Sequence, residues 1–219
     1  MRKAKTKMKK VIKLSIIIVI LLVISVIIVK VIKIKDNRAI ICIDAGHGGT
    51  DVGASNKQRY EKDDTLKVAK LVKQCLEDQD IKVVMTRNND ATLFLQDRCK
   101  IANKRKADLF ISIHRNSAET GNGIEIWTNS KEEKEDVDLA TNILNNLDRT
   151  EIQNNRGIKH GTIKGENTDY YVLNNTKMPS CLIELGFISD DQDNKLFDKN
   201  IKNYARSIAD GIMESIKNK

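Results

Sequence analysis

The chain has 219 residues, with 38 Lys and Arg against 30 Asp and Glu and a formal charge of +8. Residues 1–35 hold ten of the cations (Arg2, Lys3, Lys5, Lys7, Lys9, Lys10, Lys13, Lys30, Lys33 and Lys35) and no acid, which leaves residues 36–219 at a net −2. The basic character therefore belongs to the N-terminus alone, and nucleic acid is excluded as a partner on charge.

The N-terminal cations flank an apolar run over residues 14–29, interrupted only by Ser15 and Ser25. As a helix this run spans about 24 Å at ~1.5 Å per residue, short of the ~30 Å hydrocarbon thickness. Lys13 and Lys30 can snorkel, and Val11, Ile12, Val31 and Ile32 lengthen the apolar stretch, so the segment can cross. A buried core helix would need a polar face, which the run lacks. A cleaved signal peptide would need a small-x-small site, and only Asn37-Arg38-Ala39 comes near one. The expectation is an uncleaved transmembrane anchor over residues 1–35 and a tether over 36–39. The positive N-terminus stays in the cytoplasm, and a domain over 40–219 lies outside.

Strands and helices alternate beyond the tether. Residues 40–44 read as a strand, followed by Ala45-Gly46-His47-Gly48-Gly49. Residues 61–79 form a helix with Leu66, Ala69, Val72 and Leu76 on one stripe. A strand over 81–86, a helix over 95–106 and strands over 108–113 and 123–127 follow. Residues 132–148 give a helix striped by Val137, Ala140, Leu144 and Leu147, then come strands over 170–173 and 180–184 and a closing helix over 201–216. This order predicts an α/β domain: a mostly parallel twisted sheet with helices on both faces, preceded by one N-terminal transmembrane helix. Cys42, Cys75, Cys99 and Cys181 show no C-x-x-C spacing and read as buried small hydrophobes, with a Cys42–Cys181 pair conceivable in an exported domain.

His47, Glu61, His114 and Glu184 read together as a metal-dependent hydrolytic site. Three of them end strand candidates, and ligands gather outside the carboxyl ends of strands in open α/β sheets. A hydrolytic zinc site takes three protein ligands and keeps a fourth position for water. Two neutral imidazoles and one carboxylate leave the metal positive enough to bring that water's pKa to ~7. Glu184 could stand beside the metal as general base and then acid. Each residue also has an ordinary reading: a turn histidine, a helix-start carboxylate, a strand-end histidine bonded to backbone. Glu184 resists this, because a carboxylate between Cys181-Leu182-Ile183 and Leu185-Gly186-Phe187 is costly without a partner. The spacings of 14 and 53 residues between His47, Glu61 and His114 match no local zinc motif, so the case rests on convergence.

The stretches IDAGHGGTDVGA (43–54), YEKD (60–63), VVMTR (83–87), ADLFISIHRN (107–116), GIEIW (123–127) and MPSCLIELGFISD (178–190) resemble the zinc-dependent N-acetylmuramoyl-L-alanine amidases of amidase family 3. The resemblance implies one zinc ion held by His47, Glu61 and His114, with Glu184 as acid/base. It also implies a peptidoglycan substrate, cleaved at the amide between the lactyl group of muramic acid and L-alanine. Ala45 stands where the family usually has proline, and Asp190 where asparagine is common. Arg115 and Asn116 are expected as substrate contacts, with a solvent-facing arginine as the ordinary alternative. Glu125 is expected either to buttress a ligand or to bond backbone within its strand. His160 is read as a loop residue. Helix 132–148 reads as core, so no inserted helix is expected to block the site.

The bare domain and the Lys-, Asn- and Ile-rich composition resemble the small spore-cortex amidases of endospore-forming bacteria. That implies a role in making muramic lactam, with an activating protein partner. Two rivals stand beside this reading. One is a wall-binding protein without activity on the same fold. The other is a zinc peptidase acting on stem peptides, which would want His-x-x-Glu where Thr50 follows His47.

Overall fold

The computed structural model describes residues 2–36, 38–150, 154–162 and 168–217, and in the N-terminal helix the side chains of Met8, Lys9 and residues 12–28. The chain divides into two compact units, Met1–Arg38 and Ala39–Lys219.

The first unit is one α-helix, α1 (Arg2–Asp36). Its described apolar side chains stand exposed, Leu14, Leu22 and Ile28 each by more than half. Among the described residues no helix is long and apolar enough to cross a membrane. The predicted transmembrane helix drew on Val11, Val29, Val31 and Ile32, whose side chains lie outside the described residues. What stands is a helix with an exposed apolar middle.

The second unit contains β1 (Ile40–Ala45), β2 (Ser55–Asn56), β3 (Arg59–Tyr60), α2 (Glu61–Glu77), β4 (Lys82–Met85), α3 (Leu95–Arg105) and β5 (Leu109–Asn116). It continues with β6 (Ile124–Thr128), α4 (Lys134–Asp148), β7 (Asn155–His160), α5 (Tyr171–Asn175), β8 (Ser180–Phe187) and α6 (Asp191–Lys217). The main sheet runs β4-β1-β5-β8-β6-β7. β4, β1, β5 and β8 are mutually parallel; β6 turns antiparallel to β8, and β7 runs parallel to β6.

Alternation along each strand splits the apolar residues between two layers. Ile41, Ile43, Ile111, Ile113, Ile183 and their neighbours pack under α2, α4 and α6. Cys42, Phe110, Leu182 and Trp127 face the shorter α3 and α5. The predicted mostly parallel sheet with helices on both faces is therefore what forms. α4 packs its apolar side into the core against α6, so it does not cover the carboxyl ends of the strands.

Four local expectations change. The segment 170–173 is not a strand: the Tyr170 carbonyl accepts N–H bonds from Leu173 and Asn174, winding the single turn of α5 against α3. Its aromatic and β-branched run looked like a strand because it is apolar, not because it alternates. β7 was missed because Ile158 is its only apolar residue; it is an edge strand. His160 accordingly ends a strand, its Nδ1 at 2.8 Å from the Thr128 hydroxyl. α6 begins ten residues before the predicted 201, where the Asp190 carboxylate accepts the Asp193 N–H at 2.7 Å as an N-cap. All four cysteines are free. Cys42 and Cys181 lie in opposite layers with β5 between their strands, so the conceived pair does not form.

Asp136 ties α4 to the sheet. It is buried at 3 % exposure, and its carboxylate accepts the Ser180 N–H at 2.7 Å and the Asn129 amide at 2.6 Å. Burial, with Glu133 and Glu135 nearby, pushes its pKa up to about 6 against the Ser180 bond. A folded-state pKa above the unfolded value means stability is lost as pH rises from about 4 to 6. Asp136→Asn should remove that slope. Its stability relative to the native chain should rise by roughly 2–3 kcal/mol across this window in denaturant titrations. A difference that stays flat with pH would show that Asp136 titrates normally.

Candidate metal centre

The site assembles from one row of residues crossing the sheet on the α3/α5 side. His114 and Glu184 are register partners on the parallel strands β5 and β8, and Glu184 and Glu125 are partners on β8 and β6. Register partners point to one face, so a β5 histidine and a β8 glutamate stand side by side. On the other flank of His114 the row ends at Gly46, whose N–H bonds the Ile113 carbonyl. A Cβ there would lie 2.4 Å from His114 Cε1, so only glycine leaves room for the ring.

His47 comes from the loop after β1, with a left-handed backbone (φ 59°) that side chains seldom adopt. Two buried arginines hold that loop. Arg98 donates to the carbonyls of Ala45 and His47, each at 2.7 Å, and to the Asp44 carboxylate at 2.8 Å. Arg87 donates to the carbonyls of Ala45 and Gly46 at 3.0 and 2.8 Å. Glu61 enters on the first turn of α2, placed by the short β2–β3 hairpin and by its N–H bond to the Ala54 carbonyl.

These three residues converge. His47 Nε2 lies 3.1 Å from Glu61 Oε2, and His114 Nδ1 lies 2.9 Å from Glu61 Oε1. The candidate ligand atoms of all three lie within 4.8 Å of one another. Atoms bound to a tetrahedral zinc at ~2.0–2.1 Å stand ~3.3 Å apart, so the spacing fits. Gly53 leaves the space for this arrangement, since a Cβ on it would meet both Glu61 Oε2 and His47 Cδ2 at 2.6 Å. Glu61 also accepts N–H bonds from Ala54 and Arg115 at 2.8 and 3.0 Å. Burial works to raise its pKa, but the two histidines outweigh it and hold the carboxylate well below the usual range. Burial likewise works to lower His47, and Glu61 and Asp51 reverse it to a net rise.

Asp51 was not singled out by sequence. Its carboxylate oxygens both lie 2.9 Å from His47 Nδ1, which fixes the tautomer that leaves Nε2 bare toward Glu61. The signal was available: an acid four residues after a histidine in a glycine-rich turn can reach back to the ring.

Glu184 is buried at 8 % exposure, and its Oε2 is the one buried side-chain polar atom without a hydrogen bond among the described residues. Burial first, then Glu61 and Glu125, raise its pKa well above normal, with Arg115 opposing. An unbonded buried carboxyl oxygen is costly and marks a place where a ligand is expected. Glu184, His47, Glu61 and His114 line one cleft of about 640 Å³, walled on its far side by Phe94, Leu95 and Tyr171.

Arg115 borders the cleft, but its side chain does not face solvent. Its guanidinium is buried, donating to Asp64 at 2.6 Å and Asn194 at 2.8 Å and stacking 4.2 Å over Phe197, on the opposite face of β5 from His114. Adjacent residues on a strand point to opposite faces, so the neighbour of a site histidine faces away. Asn116 lines the cleft, but its amide donates to Glu125 at 2.8 Å. Among the described residues Glu125 bonds none of the three candidate ligands; it accepts from Asn116, from Trp127 Nε1 at 3.0 Å and from Arg156 Nε at 2.7 Å.

Comparison with known proteins places the chain in a family. Residues 41–218 match the family model described as N-acetylmuramoyl-L-alanine amidase. A probable cell wall amidase, LytH of Staphylococcus epidermidis, is 33 % identical over 182 residues, covering 80 % of this chain and 57 % of that protein. The chain thus matches little more than half the length of that relative. The structure of an N-acetylmuramoyl-L-alanine amidase from Clostridium difficile 630 superposes with a TM-score of 0.77 at 32 % identity, covering 84 % of this chain and 99 % of the other. The CwlD amidase from Clostridioides difficile, solved in complex with the GerS lipoprotein, superposes with a TM-score of 0.74 at 29 % identity, covering 83 % and 100 %. With the family model matched over residues 41–218 and the fold in common, the chain belongs to the N-acetylmuramoyl-L-alanine amidase family.

Proposed function

We propose that this protein is a zinc-dependent peptidoglycan amidase that cleaves the bond between N-acetylmuramic acid and the L-alanine of the stem peptide. The observation that carries the reading is the His47–Glu61–His114 cluster set beside a buried carboxyl with an unbonded oxygen. A zinc ion held by those three residues would polarise the scissile carbonyl, lower the pKa of water toward ~7 and add positive charge that favours the carboxylate of Glu184. Glu184 then takes a proton from the attacking water on its free Oε2 and delivers it to the departing amine. Asp51 holds His47 in the ligating tautomer, and Gly46 and Gly53 leave space for the ring and the carboxylate.

Mass spectrometry of digested muropeptides tests the reaction. Free stem peptides with intact glycan support the amidase, shortened stems a peptidase, and unchanged material a binder. Elemental analysis tests the metal. His47→Ala should lose bound zinc, and Asp51→Ala should weaken zinc affinity about 10–100-fold through the disordered imidazole. Zinc content unchanged in His47→Ala would reject the ligand set.

The exposed apolar middle of α1, the flanking lysines and the separate N-terminal unit support attachment to the cell membrane, with the amidase facing the wall. Protease added to intact cells should then cut the second unit and spare the N-terminus. Similarity to CwlD, solved with the GerS lipoprotein, supports a protein partner, and the proposed spore-cortex role rests on the resemblance of the bare, Lys-, Asn- and Ile-rich domain to small spore-cortex amidases. Loss of muramic lactam on deletion of the protein is the expected phenotype.

A further inference from the structure

Past Glu184 and Glu125 the row of site residues continues onto edge strand β7. The β6–β7 register shifts between Ile124 and Ile126, and Gly157 (φ 81°) sits at that bulge. The bulge brings Arg156 to the same face as Glu125, its Nε 2.7 Å from Glu125 Oε2, and the guanidinium lies 5.0 Å over the Phe187 ring. Two constraints therefore set its plane. Only Nε is used; among the described residues both Nη groups lack a hydrogen bond, and a third of the side chain is exposed. Lys159, opposite Trp127 in the register, stands on that same face and forms no ion pair among the described residues.

Both cations line a cleft of about 750 Å³ with Asn116, Glu125, Trp127 and Phe187, and Asn116 also lines the Glu184 cleft, so this residue borders both. Of the acids in it, Glu125 is held by three donors, and Glu132 is exposed at the rim with His160 at 3.9 Å. The opposite rim is apolar, with Phe94 71 % exposed, and the arginines nearest it, Arg98 and Arg115, are buried and bonded. Among the described residues lining the two clefts, open positive charge comes from the β7 side, from Arg156 and Lys159. A planar fork with two free donors is the geometry that takes a carboxylate.

We propose that Arg156, with Lys159 beside it, is a specificity-determining subsite for a carboxylate of the stem peptide, which orients the amine side of the scissile bond over β7. This rests on the amidase reading for the identity of the ligand. The test measures binding, independent of turnover, by calorimetry of the full chain with L-alanyl-D-glutamate as diacid and as diamide. The native chain should bind the diacid about tenfold more tightly, the scale of one charge-assisted bond. Arg156→Gln should abolish the preference. Lys159→Gln, whose side chain holds no ion pair to lose, should reduce it about threefold and decides the matter should Arg156→Gln not fold. Equal binding of the two peptides by the native chain, or a preference unchanged in the variants, overturns the subsite. Muropeptide digestion separates the two readings. Cleavage without a binding preference rejects the subsite alone. A preference that depends on Arg156, without cleavage, retains the subsite and rejects the amidase.

Discussion

Glu184→Gln is expected to keep its zinc and its fold while losing turnover by about 10²–10⁴-fold, the range for removing a positioned proton carrier. Glutamine matches the side chain in shape, and Oε2 already lacks a partner, so no hydrogen bond at that atom is broken. The charge argument points the same way for stability. Burial, Glu61 and Glu125 raise the folded-state pKa of Glu184, so in the metal-free protein its contribution to stability falls as pH rises through the unfolded carboxylate value. Metal-free Glu184→Gln should therefore match or exceed the native chain at neutral pH in denaturant titrations. Activity near the native rate, with zinc bound, would remove Glu184 from the chemistry. A variant that fails to bind zinc would instead place Glu184 among the ligands.

Arg98→Met should be the most destabilising single change near the site, by about 3–5 kcal/mol, because it strands a buried charge. Asp44 is 1 % exposed, and its carboxylate accepts from Arg98, from the Thr86 hydroxyl at 2.6 Å and from the Ser112 hydroxyl at 2.7 Å. Burial works to raise the Asp44 pKa, and Arg98 with the two hydroxyls overcomes it to a net depression. A depressed carboxylate stabilises the fold above its unfolded pKa, and that stability is lost as pH falls. Without Arg98 the balance reverses: Asp44 would take up a proton, and stability would fall with rising pH. The Ala45 and His47 carbonyls would also lose their donor, freeing the loop that carries His47 in a left-handed conformation. Zinc affinity should drop with stability. Adding Asp44→Asn should recover part of the loss, since the stranded charge goes with it. A loss under 1 kcal/mol in the single variant would show that the pair is worth no more than a surface ion pair.

The main elements were legible because each depends on local pattern. Apolar β-branched runs marked β1, β5 and β8, 3.6-residue stripes marked α2 and α4, and a glutamate inside SCLIELGF had no cheap explanation except use. Elements whose stability comes from neighbours were not legible. β7 carries almost no apolar residue and exists because β6 offers it an open edge, while the short β2–β3 hairpin serves to deliver Glu61. Arg115 was misread for a related reason. Charge suggests exposure, yet Asp64, Asn194 and Phe197 converge on it from α2 and α6, positions 51 to 82 residues distant.

By itself the sequence determined which atoms could do chemistry here, because residue type sets donor character, charge and proton affinity, and strand-end placement follows from short-range periodicity. Only the tertiary structure decided which of those groups meet. Strand register put Glu184 beside His114 and ran the row on to Arg156, the absence of a side chain at Gly46 and Gly53 made room for ligands, and Asp51 and Arg98 fixed the loop. Convergence is a sum of long-range contacts, each weak in the local pattern and strong only when the whole sheet is assembled.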